Sequence, residues 1–217
     1  MFSTIILGAG KSTRMKANKS KLLFDIAGKP IITHIIESVK QAGCRDIICV
    51  VNRDSRELVQ LLKDHKTTIT FQKNSNGTAG AALAGSKIIT NNSRKLLILC
   101  GDAPFITTKS IKSMIRKISS ADACVGTVEL ESPKGYGRII RSGNKISEIV
   151  EERDTTIEQR LIREVNTGVI SIKNSVFKKH ITEIKNNNAK KEYYLTDIIK
   201  ILIDKDYKVN TNKFIDD

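Results

Sequence analysis

A short apolar run that leads directly into a glycine-rich, basic loop constrains this chain more than any other feature. The apolar residues IIL at positions 5–7 are followed by GAGKSTR at positions 8–14. Glycine lets backbone N–H groups approach a phosphate closely, while lysine and arginine supply positive charge. The pattern predicts a buried strand that ends at a nucleotide-binding loop, and a strand-to-helix turn without a ligand is the alternative interpretation.

Two common phosphate-binding loops do not fit this segment. A Walker A loop needs a further glycine five positions before Gly10, where the chain has Ile5. A dinucleotide fingerprint needs a glycine three positions after Gly10, where the chain has Thr13. The predicted loop therefore belongs to neither class.

The composition is that of a folded domain rather than a disordered or membrane-spanning chain. The 217 residues are 40% hydrophobic, and no apolar run approaches the roughly 20 residues that a membrane-spanning helix needs. No basic segment followed by a long apolar one opens the chain, so we expect no secretory signal and a cytoplasmic protein. The cysteines and histidines show no C-x-x-C or paired-histidine spacing, which disfavours a zinc site.

The chain is strongly basic, with 37 lysine and arginine residues against 23 acidic ones and a net charge of +14. Such a charge suits anionic small substrates and also permits nucleic-acid binding. Because the basic residues are scattered and few aromatic residues accompany them, we expect no nucleic-acid or membrane partner. No feature of the sequence fixes an oligomeric state.

Strand-like and helix-like segments alternate along the first 120 residues. The predicted strands span 1–7, 46–51, 67–71 and 95–100, and the predicted helices span 30–42, 55–63, 78–89 and 107–119. This alternation predicts an α/β fold, with a parallel sheet and helices on both faces.

After residue 121 the predicted strands follow one another with short turns. They span 123–128, 137–140, 145–150 and 165–172, and the predicted helices span 155–162, 175–184 and 194–204. No linker rich in glycine, proline or serine separates the two parts. The second part is therefore expected to extend the same central sheet, which becomes mixed but mostly parallel.

Polar residues follow several of the predicted strands. Asp102 follows the strand predicted at 95–100, and Gln72 follows the strand predicted at 67–71. Gly77 and Thr78 lie at the start of the helix predicted at 78–89. Since ligands bind beyond the carboxyl ends of parallel strands, a carboxylate there suits a hard cation and an amide suits a nucleotide base. Helix capping and turn formation are the alternative roles of these residues.

The later strands are bounded by residues that suit sugar hydroxyl groups. Gly137 lies in a GYGR segment, Glu151 follows a predicted strand and Asn166 lies near the start of another. An amide and a carboxylate can each hydrogen-bond a sugar, although such residues also form turns.

The sequence contains no histidine dyad and no G-x-S-x-G nucleophile motif. One reaction needs neither, because a sugar phosphate is largely dianionic at neutral pH, its second pKa being about 6. Such a phosphate can attack a nucleotide α-phosphate without a protein base. The site then has to position two anions and stabilise the departing pyrophosphate. A glycine loop with Arg14, Lys21 and Asp102 fits that task.

The motifs taken in order resemble a known family. They are LGAGKSTRM, KLLFDIAGKPIITHII, NGTAGA, CGDAPFI, GYGRI, IVEERD, EVNTGV and NNNAKKEYYLTDI. Over residues 2–199 they resemble the uridylyltransferase domain of bacterial N-acetylglucosamine-1-phosphate uridylyltransferases. The resemblance implies a Rossmann-like nucleotidyltransferase fold, Mg²⁺ as cofactor, and UTP and N-acetylglucosamine 1-phosphate as substrates. It further implies a product, UDP-N-acetylglucosamine, that serves peptidoglycan and lipopolysaccharide synthesis.

The resemblance also implies roles for single residues. Arg14 would bind the β- and γ-phosphates, Lys21 the phosphates at the reacting centre, and Asp102 the Mg²⁺ ion. The residues that would contact the nucleotide are Leu7, Gly8, Ala9, Gly10, Gln72, Gly77 and Thr78. The residues that would contact the sugar are Gly137, Glu151 and Asn166.

Three positions depart from the family pattern. Ser12 replaces a loop glycine, Gly80 stands where the family has a histidine, and Cys100 replaces a tyrosine. These changes bear on the preference for uracil and for the sugar more than on the reaction class. The alternatives are therefore a nucleotidyltransferase for another base or sugar phosphate, or a non-catalytic protein that binds nucleotide sugars.

The 217 residues stop about where the family continues with a Gly-Val-Asn segment, whose asparagine completes the Mg²⁺ site. They contain no left-handed β-helix acetyltransferase domain. We expect one nucleotidyltransferase domain over residues 1–217, with a nucleotide-binding part at about 1–120 and a sugar-binding part at about 121–217. Within it, Asp102 is the expected protein ligand of Mg²⁺.

Overall fold

The fold is described from a computed structural model, over residues 2–10, 20–74, 76–89 and 95–214. The strands are β1 (Phe2–Leu7), β2 (Asp25–Ile26), β3 (Lys29–Pro30), β4 (Asp46–Val51), β5 (Thr68–Phe71), β6 (Lys95–Cys100), β7 (Ala123–Glu129), β8 (Arg138–Ser142), β9 (Lys145–Val150), β10 (Glu164–Lys173) and β11 (Val209–Lys213). The helices are α1 (Ile31–Gln41), α2 (Arg56–Asp64), α3 (Thr78–Ser86), α4 (Thr108–Lys117), α5 (Ile157–Arg160), α6 (Asn174–His180) and α7 (Asp197–Asp204). Short 3₁₀ helices span Lys21–Leu23, Glu152–Asp154 and Ile181–Glu183. Within the described ranges, no helix is long and apolar enough to cross a membrane.

Nine of the described strands form one sheet, whose main path runs β11-β7-β10-β6-β1-β4-β5. β1 lies parallel to β4 and β6, and β4 lies parallel to β5. β10 is antiparallel to both β6 and β7, whereas β11 is parallel to β7. The hairpin of β8 and β9 joins the sheet through β10. The predicted sheet, mixed but mostly parallel, is confirmed.

Alternate residues of the central strands fill two core layers on opposite faces of the sheet. Ile5 packs with Ala82 in the layer under α3, α6 and α7, whereas its neighbour Ile6 packs with Ile35 in the layer under α1, α2 and α4. The same alternation recurs along β4 and β6. A period of two with apolar residues on both sides is typical of strands covered by helices on both faces. This arrangement confirms the predicted layers.

The structure departs from the predicted elements mainly in the second half. The helix predicted at 155–162 is only the single turn α5, which begins at the hydroxyl cap of Thr156. The helix predicted at 194–204 begins at Asp197, because residues 193–195 hydrogen-bond to another loop instead. Helices α3 and α6 end about a turn earlier than predicted. Strand β11 was not predicted, because its sequence VNTNK carries one apolar residue.

The chain direction of the parallel strands brings their carboxyl ends to one edge of the sheet. β1, β4, β5 and β6 end at Leu7, Val51, Phe71 and Cys100. The loops that follow these residues therefore meet along the same edge, where ligands bind in open α/β sheets.

The close contact between α3 and β1 predicts the effect of one added methyl group. A Cβ at Gly85 would lie 2.6 Å from Ile5 Cγ2 and 3.1 Å from Val50 Cγ2. Overpacking a core costs about 1–3 kcal/mol, which exceeds a gain in helix propensity of at most about 1 kcal/mol. We therefore expect Gly85→Ala to lower the free energy of unfolding, measured by denaturant titration. An unchanged or higher unfolding midpoint would contradict the tight packing of α3 on β1.

Candidate active site

The carboxyl end of β1 is tied to both neighbouring strands. The Gly8 N–H donates to a β4 carbonyl at 2.7 Å, and the Gly101 N–H donates to the Leu7 carbonyl at 2.9 Å. The Ala9 carbonyl accepts from the Asn52 side-chain amide at 2.7 Å. These bonds hold three of the residues predicted to contact the nucleotide at the edge where the loops meet. Gly10 follows them and is exposed, whereas Arg14 lies outside the described residues.

A buried leucine fills the space beside two glycines at the ends of β1 and β6. A Cβ at Gly8 would lie 2.9 Å from Leu22 Cδ1, and a Cβ at Gly101 would lie 3.1 Å from the same atom. Leu22 is 2% exposed and belongs to the core layer under α1. Since Leu22 is the middle residue of a 3₁₀ helix that Ser20 caps, its burial also fixes the position of Lys21.

Lys21 and Asp102 form an ion pair at this edge of the sheet. The lysine Nζ donates to Asp102 Oδ2, and the two side chains remain 33% and 44% exposed. Asp102 does not cap the following helix, because Thr107 caps α4 by accepting from the Ser110 N–H at 3.1 Å. A lysine and a carboxylate that are both open to solvent suit a phosphate and a cation bound to it.

The loop after β5 is held by the side chain of Gln72. Its Nε2 donates to Asn76 Oδ1 and to the Gly77 carbonyl, both at 3.0 Å. Both N–H groups of the amide are therefore used within the loop. A base-reading role for this side chain depends on its amide oxygen, which accepts but does not donate.

A segment late in the chain, residues 193–196, packs against this loop, and we call it the strap. The Tyr193 N–H donates to the Asn76 carbonyl at 2.8 Å, and the Ala79 N–H donates to the Tyr193 carbonyl at 3.0 Å. The Thr78 hydroxyl accepts from a strap N–H at 2.9 Å. Gly77 has a φ of 112°, and a Cβ there would lie 2.4 Å from the Tyr193 carbonyl oxygen. Only glycine fits at this position.

Glu151 lies between the β8–β9 hairpin and the strap, and we call the cluster that it forms with Gly137 and Asn166 the pocket. A Cβ at Gly137 would lie 3.5 Å from each carboxylate oxygen of Glu151. The Thr196 hydroxyl donates to Glu151 Oε1 at 3.0 Å, and the Gly137 carbonyl accepts from the Asn166 N–H at 2.9 Å. Burial raises the pKa of Glu151, while the Thr196 hydroxyl and a nearby lysine oppose that shift. The three residues predicted to contact the sugar thus lie together.

A bulge in β10 joins this pocket to the end of β6. The pairing register shifts after Asn166, whose Oδ1 accepts from the Gly168 N–H at 3.1 Å. Gly168 has a φ of 75°, and a Cβ there would lie 2.8 Å from Cys100 Sγ. Burial, followed by the charges of Asp102 and Glu151, raises the pKa of Cys100 to about 12. The charges of both carboxylates therefore act on the Cys100 thiol.

The described site residues form a continuous ring of contacts at the carboxyl edge. The successive contacts are Gly8 to β4, Val51 to Gln72, Gln72 to Gly77, Gly77 to Tyr193, Thr196 to Glu151, Glu151 to Gly137, Gly137 to Asn166, Gly168 to Cys100 and Gly101 to Leu7. Sequence analysis found most members of this ring but assigned no role to the strap or to Leu22. The EYYLTD motif was the only sequence signal for the strap, because its contacts are made largely by the backbone.

The donor set at this edge fits an ion that is bound partly through phosphates. Among the described residues, no group of three or more histidine, cysteine or acidic side chains is arranged to hold a metal. Asp102 supplies one partly exposed carboxylate beside Lys21. Mg²⁺ commonly binds through one or two carboxylates, with substrate phosphates and water completing its coordination. Asp102 is therefore the residue that would hold such an ion.

The sequence of residues 4–163 matches the MobA-like NTP transferase domain. The chain belongs to this NTP transferase family. Two similar proteins are the bifunctional proteins GlmU of Staphylococcus saprophyticus, 36% identical over 203 residues, and of Staphylococcus epidermidis, 36% identical over 202 residues. Each alignment covers 92% of this chain and 45% of the relative, so the chain spans less than half the length of these proteins.

Two solved structures share the fold of this NTP transferase domain. One is a putative glucose-1-phosphate thymidylyltransferase from Bacillus anthracis in complex with a sucrose, with a TM-score of 0.82 and 21% identity, over 99% of this chain and 87% of that chain. The other is a UDP-glucose pyrophosphorylase complexed with UDP-glucose, with a TM-score of 0.78 and 20% identity, over 98% of this chain and 91% of that chain. The chain therefore shares the fold of these two proteins.

The acidic groups around the pocket of this NTP transferase domain predict a pH-dependent stability. Burial and the charges of Glu151, Asp154 and Glu148 raise the pKa of Asp197 from 3.8 to about 6. As pH rises from 3.8 to about 6, the unfolded chain loses this proton before the folded protein does. The contribution of Asp197 to the free energy of unfolding therefore falls across that interval and stays lower above it.

We expect Asp197→Asn to remove this loss, because asparagine does not titrate. The variant should unfold at a higher temperature than the wild type at about pH 7.5, and the difference should shrink toward about pH 4. Thermal unfolding across that pH range measures it. Asp204→Asn, at the exposed opposite end of α7, is the control. A difference for Asp197→Asn that is the same at both pH values would contradict the assignment.

Proposed function

We propose that this chain transfers a uridylyl group from UTP to N-acetylglucosamine 1-phosphate, giving UDP-N-acetylglucosamine and pyrophosphate. The observation that carries the proposal is the ring, whose contacts lead from Gln72 to Gly8 on one side and from Glu151 to Gly101 on the other, while Leu22, next to Lys21, packs beside both glycines. A nucleotide and a sugar bound on the two sides would meet at the Lys21–Asp102 pair. The similarity to the GlmU proteins supports the choice of base and sugar. The product is a precursor of cell-wall and lipopolysaccharide synthesis in the cytoplasm.

The nucleotide would lie along the first half of the ring. The residues proposed to contact it are Leu7, Gly8, Ala9, Gly10, Gln72, Gly77 and Thr78. The backbone at Gly10 suits phosphate, because no described atom beyond its chain neighbours lies within 4 Å of the position that a Cβ would take there. The amide oxygen of Gln72 suits the N3–H of uracil, since both amide N–H groups hold the loop. Arg14 is proposed to bind the β- and γ-phosphates.

The sugar would occupy the pocket of Gly137, Glu151 and Asn166. Glu151 is ordered by Thr196, so that its carboxylate is held for a sugar hydroxyl group. The absence of a side chain at Gly137 leaves room beside that carboxylate. These contacts would orient the 1-phosphate of the sugar toward the charged pair.

The proposed reaction needs charge neutralisation and positioning rather than proton transfer. The 1-phosphate is already largely dianionic at neutral pH, since its second pKa is about 6. Lys21 would neutralise charge on the phosphates as the new bond forms, and Asp102 would hold Mg²⁺. When bound, Mg²⁺ supplies further positive charge to the phosphates.

A substrate panel tests the proposed function. We expect pyrophosphate release to be fastest with UTP and N-acetylglucosamine 1-phosphate, compared with the other three nucleoside triphosphates and with glucosamine 1-phosphate or glucose 1-phosphate. A higher kcat/KM for another pair would replace the proposed substrates while keeping the reaction. Binding of UDP-N-acetylglucosamine without turnover of any pair would identify a non-catalytic binding protein instead.

Breaking the Lys21–Asp102 pair tests the proposed reacting centre. We expect Asp102→Asn to lower kcat by at least about 10²-fold, because the charge that holds Mg²⁺ is lost. Lys21→Met should also lower kcat/KM, since its contact with phosphate strengthens in the transition state. Steady-state pyrophosphate release measures both effects.

A second lysine–aspartate pair provides the control for these variants. Lys173 Nζ lies 2.8 Å from Asp122 Oδ1, at the opposite edge of the sheet. Lys173→Met is expected to change kcat/KM by less than about twofold, because Lys173 lies beside the amino end of β6, away from the edge where the substrates are proposed to bind, and an exposed ion pair adds little to stability. Equal losses in Lys21→Met and Lys173→Met would show that the first pair has no special role in catalysis.

A further inference from the structure

The most buried charged side chain among the described residues is Arg138, at the start of β8. It is 2% exposed and follows directly after the Gly135–Gly137 turn, which borders the Glu151 pocket. Burying a guanidinium is costly unless it is paired and hydrogen-bonded. The partners of Arg138 offset part of this cost, although its Nε has no hydrogen-bond partner among the described residues.

The guanidinium joins three separate segments around the pocket. Nη1 donates to the Tyr136 carbonyl, within the turn. Nη1 also lies 2.8 Å from Glu152 Oε2, in the 3₁₀ helix that follows Glu151. Nη2 donates to the Arg160 carbonyl at the end of α5, at 3.4 Å. The planar guanidinium of arginine carries several N–H donors and can bind three partners at once, whereas the ammonium group of lysine has all its donors on one nitrogen.

Glu152 extends the same set of contacts. Burial favours a higher pKa for this carboxyl group, but the Gly135 N–H and Arg138 outweigh it and lower the pKa. Arg138 binds the carbonyl of the second residue of the turn and pairs with the Glu152 carboxylate. The guanidinium thus connects the turn to the segment that follows Glu151.

We propose that Arg138 is a positioning residue that holds Gly137 and Glu151 in the geometry needed to bind the sugar phosphate. This inference rests on the proposed function, because it assigns the pocket to the sugar. Arg138 acts through its neighbours: Gly137 follows the carbonyl that it binds, and Glu151 precedes the carboxylate with which it pairs. The Gly137 carbonyl in turn accepts from the Asn166 N–H, so that all three pocket residues depend on this guanidinium.

Arg138→Lys tests the proposal, because it keeps the charge but removes the fork. We expect KM for N-acetylglucosamine 1-phosphate to rise by about fivefold or more, while KM for UTP changes by less than about twofold. Hydrogen exchange of the Asn166 N–H should also become faster, because the Gly137 carbonyl that accepts from it is no longer held. Loss of folded protein alone would lower the activity without changing one KM selectively.

Arg141→Lys is the matched control on the same strand. Arg141 Nη2 pairs with Glu164 Oε1 at 2.6 Å and also donates to the Thr211 hydroxyl on β11. We expect this variant to leave both KM values and the exchange of the Asn166 N–H unchanged within about twofold. Equal effects of Arg138→Lys and Arg141→Lys, or a parallel rise of both KM values, would overturn the proposal.

Glu152→Gln provides a second variant if Arg138→Lys does not fold. Its side chain is 30% exposed, and the substitution weakens the pair without adding volume. The same selective rise in KM for the sugar phosphate is expected, with a smaller size. If the wild type turns over no substrate pair, the proposed function fails, and the exchange of the Asn166 N–H still decides whether Arg138 holds the pocket.

Discussion

The packing of Leu22 against two glycines sets the geometry on which the charged centre depends. Neither Gly8 nor Gly101 carries a side chain, and Leu22 occupies the space that is left beside the ends of β1 and β6. A hydrophobic contact in the core thereby fixes the position of the adjacent Lys21, which pairs with Asp102 at the solvent. Core packing is rigid because protein interiors are close-packed. The position of the ion pair is therefore set by the buried Leu22 rather than by the attraction between the two charges, which is weak at an exposed site.

The central strands and the helices of the first half were predictable, because residue periodicity reports burial directly. β4 and β6 lie at the predicted positions, since nearly all their residues are apolar. Strand β11 gave no such signal, because it lies at the edge of the sheet and its residues are mostly polar. The prediction of α5 was wrong in the opposite sense, because the helical residue pattern spans 155–162 but only a single turn forms. Tertiary contacts, rather than local preference, decided both cases.

The candidate site was predicted as a set of residues but not as a set of contacts. Polar residues after predicted strands marked Gln72, Asp102 and Glu151, because ligands bind beyond the strand ends of open α/β sheets. The hydrogen bonds of Gln72 within its own loop could not be read from residue types, since they depend on the path of residues 76 and 77. Likewise, an arginine after a GYG turn resembles a surface residue in sequence, and only the fold shows that Arg138 is buried.

The strap connects the two halves of the site. Tyr193 binds the loop of Gly77 through its backbone, and three residues later Thr196 binds Glu151. So short a segment cannot be ordered at one end and loose at the other. Under the proposed function, a nucleotide at the loop and a sugar at the pocket would contact the two ends of one short segment, so that the binding of each ligand would be coupled to the binding of the other through the strap.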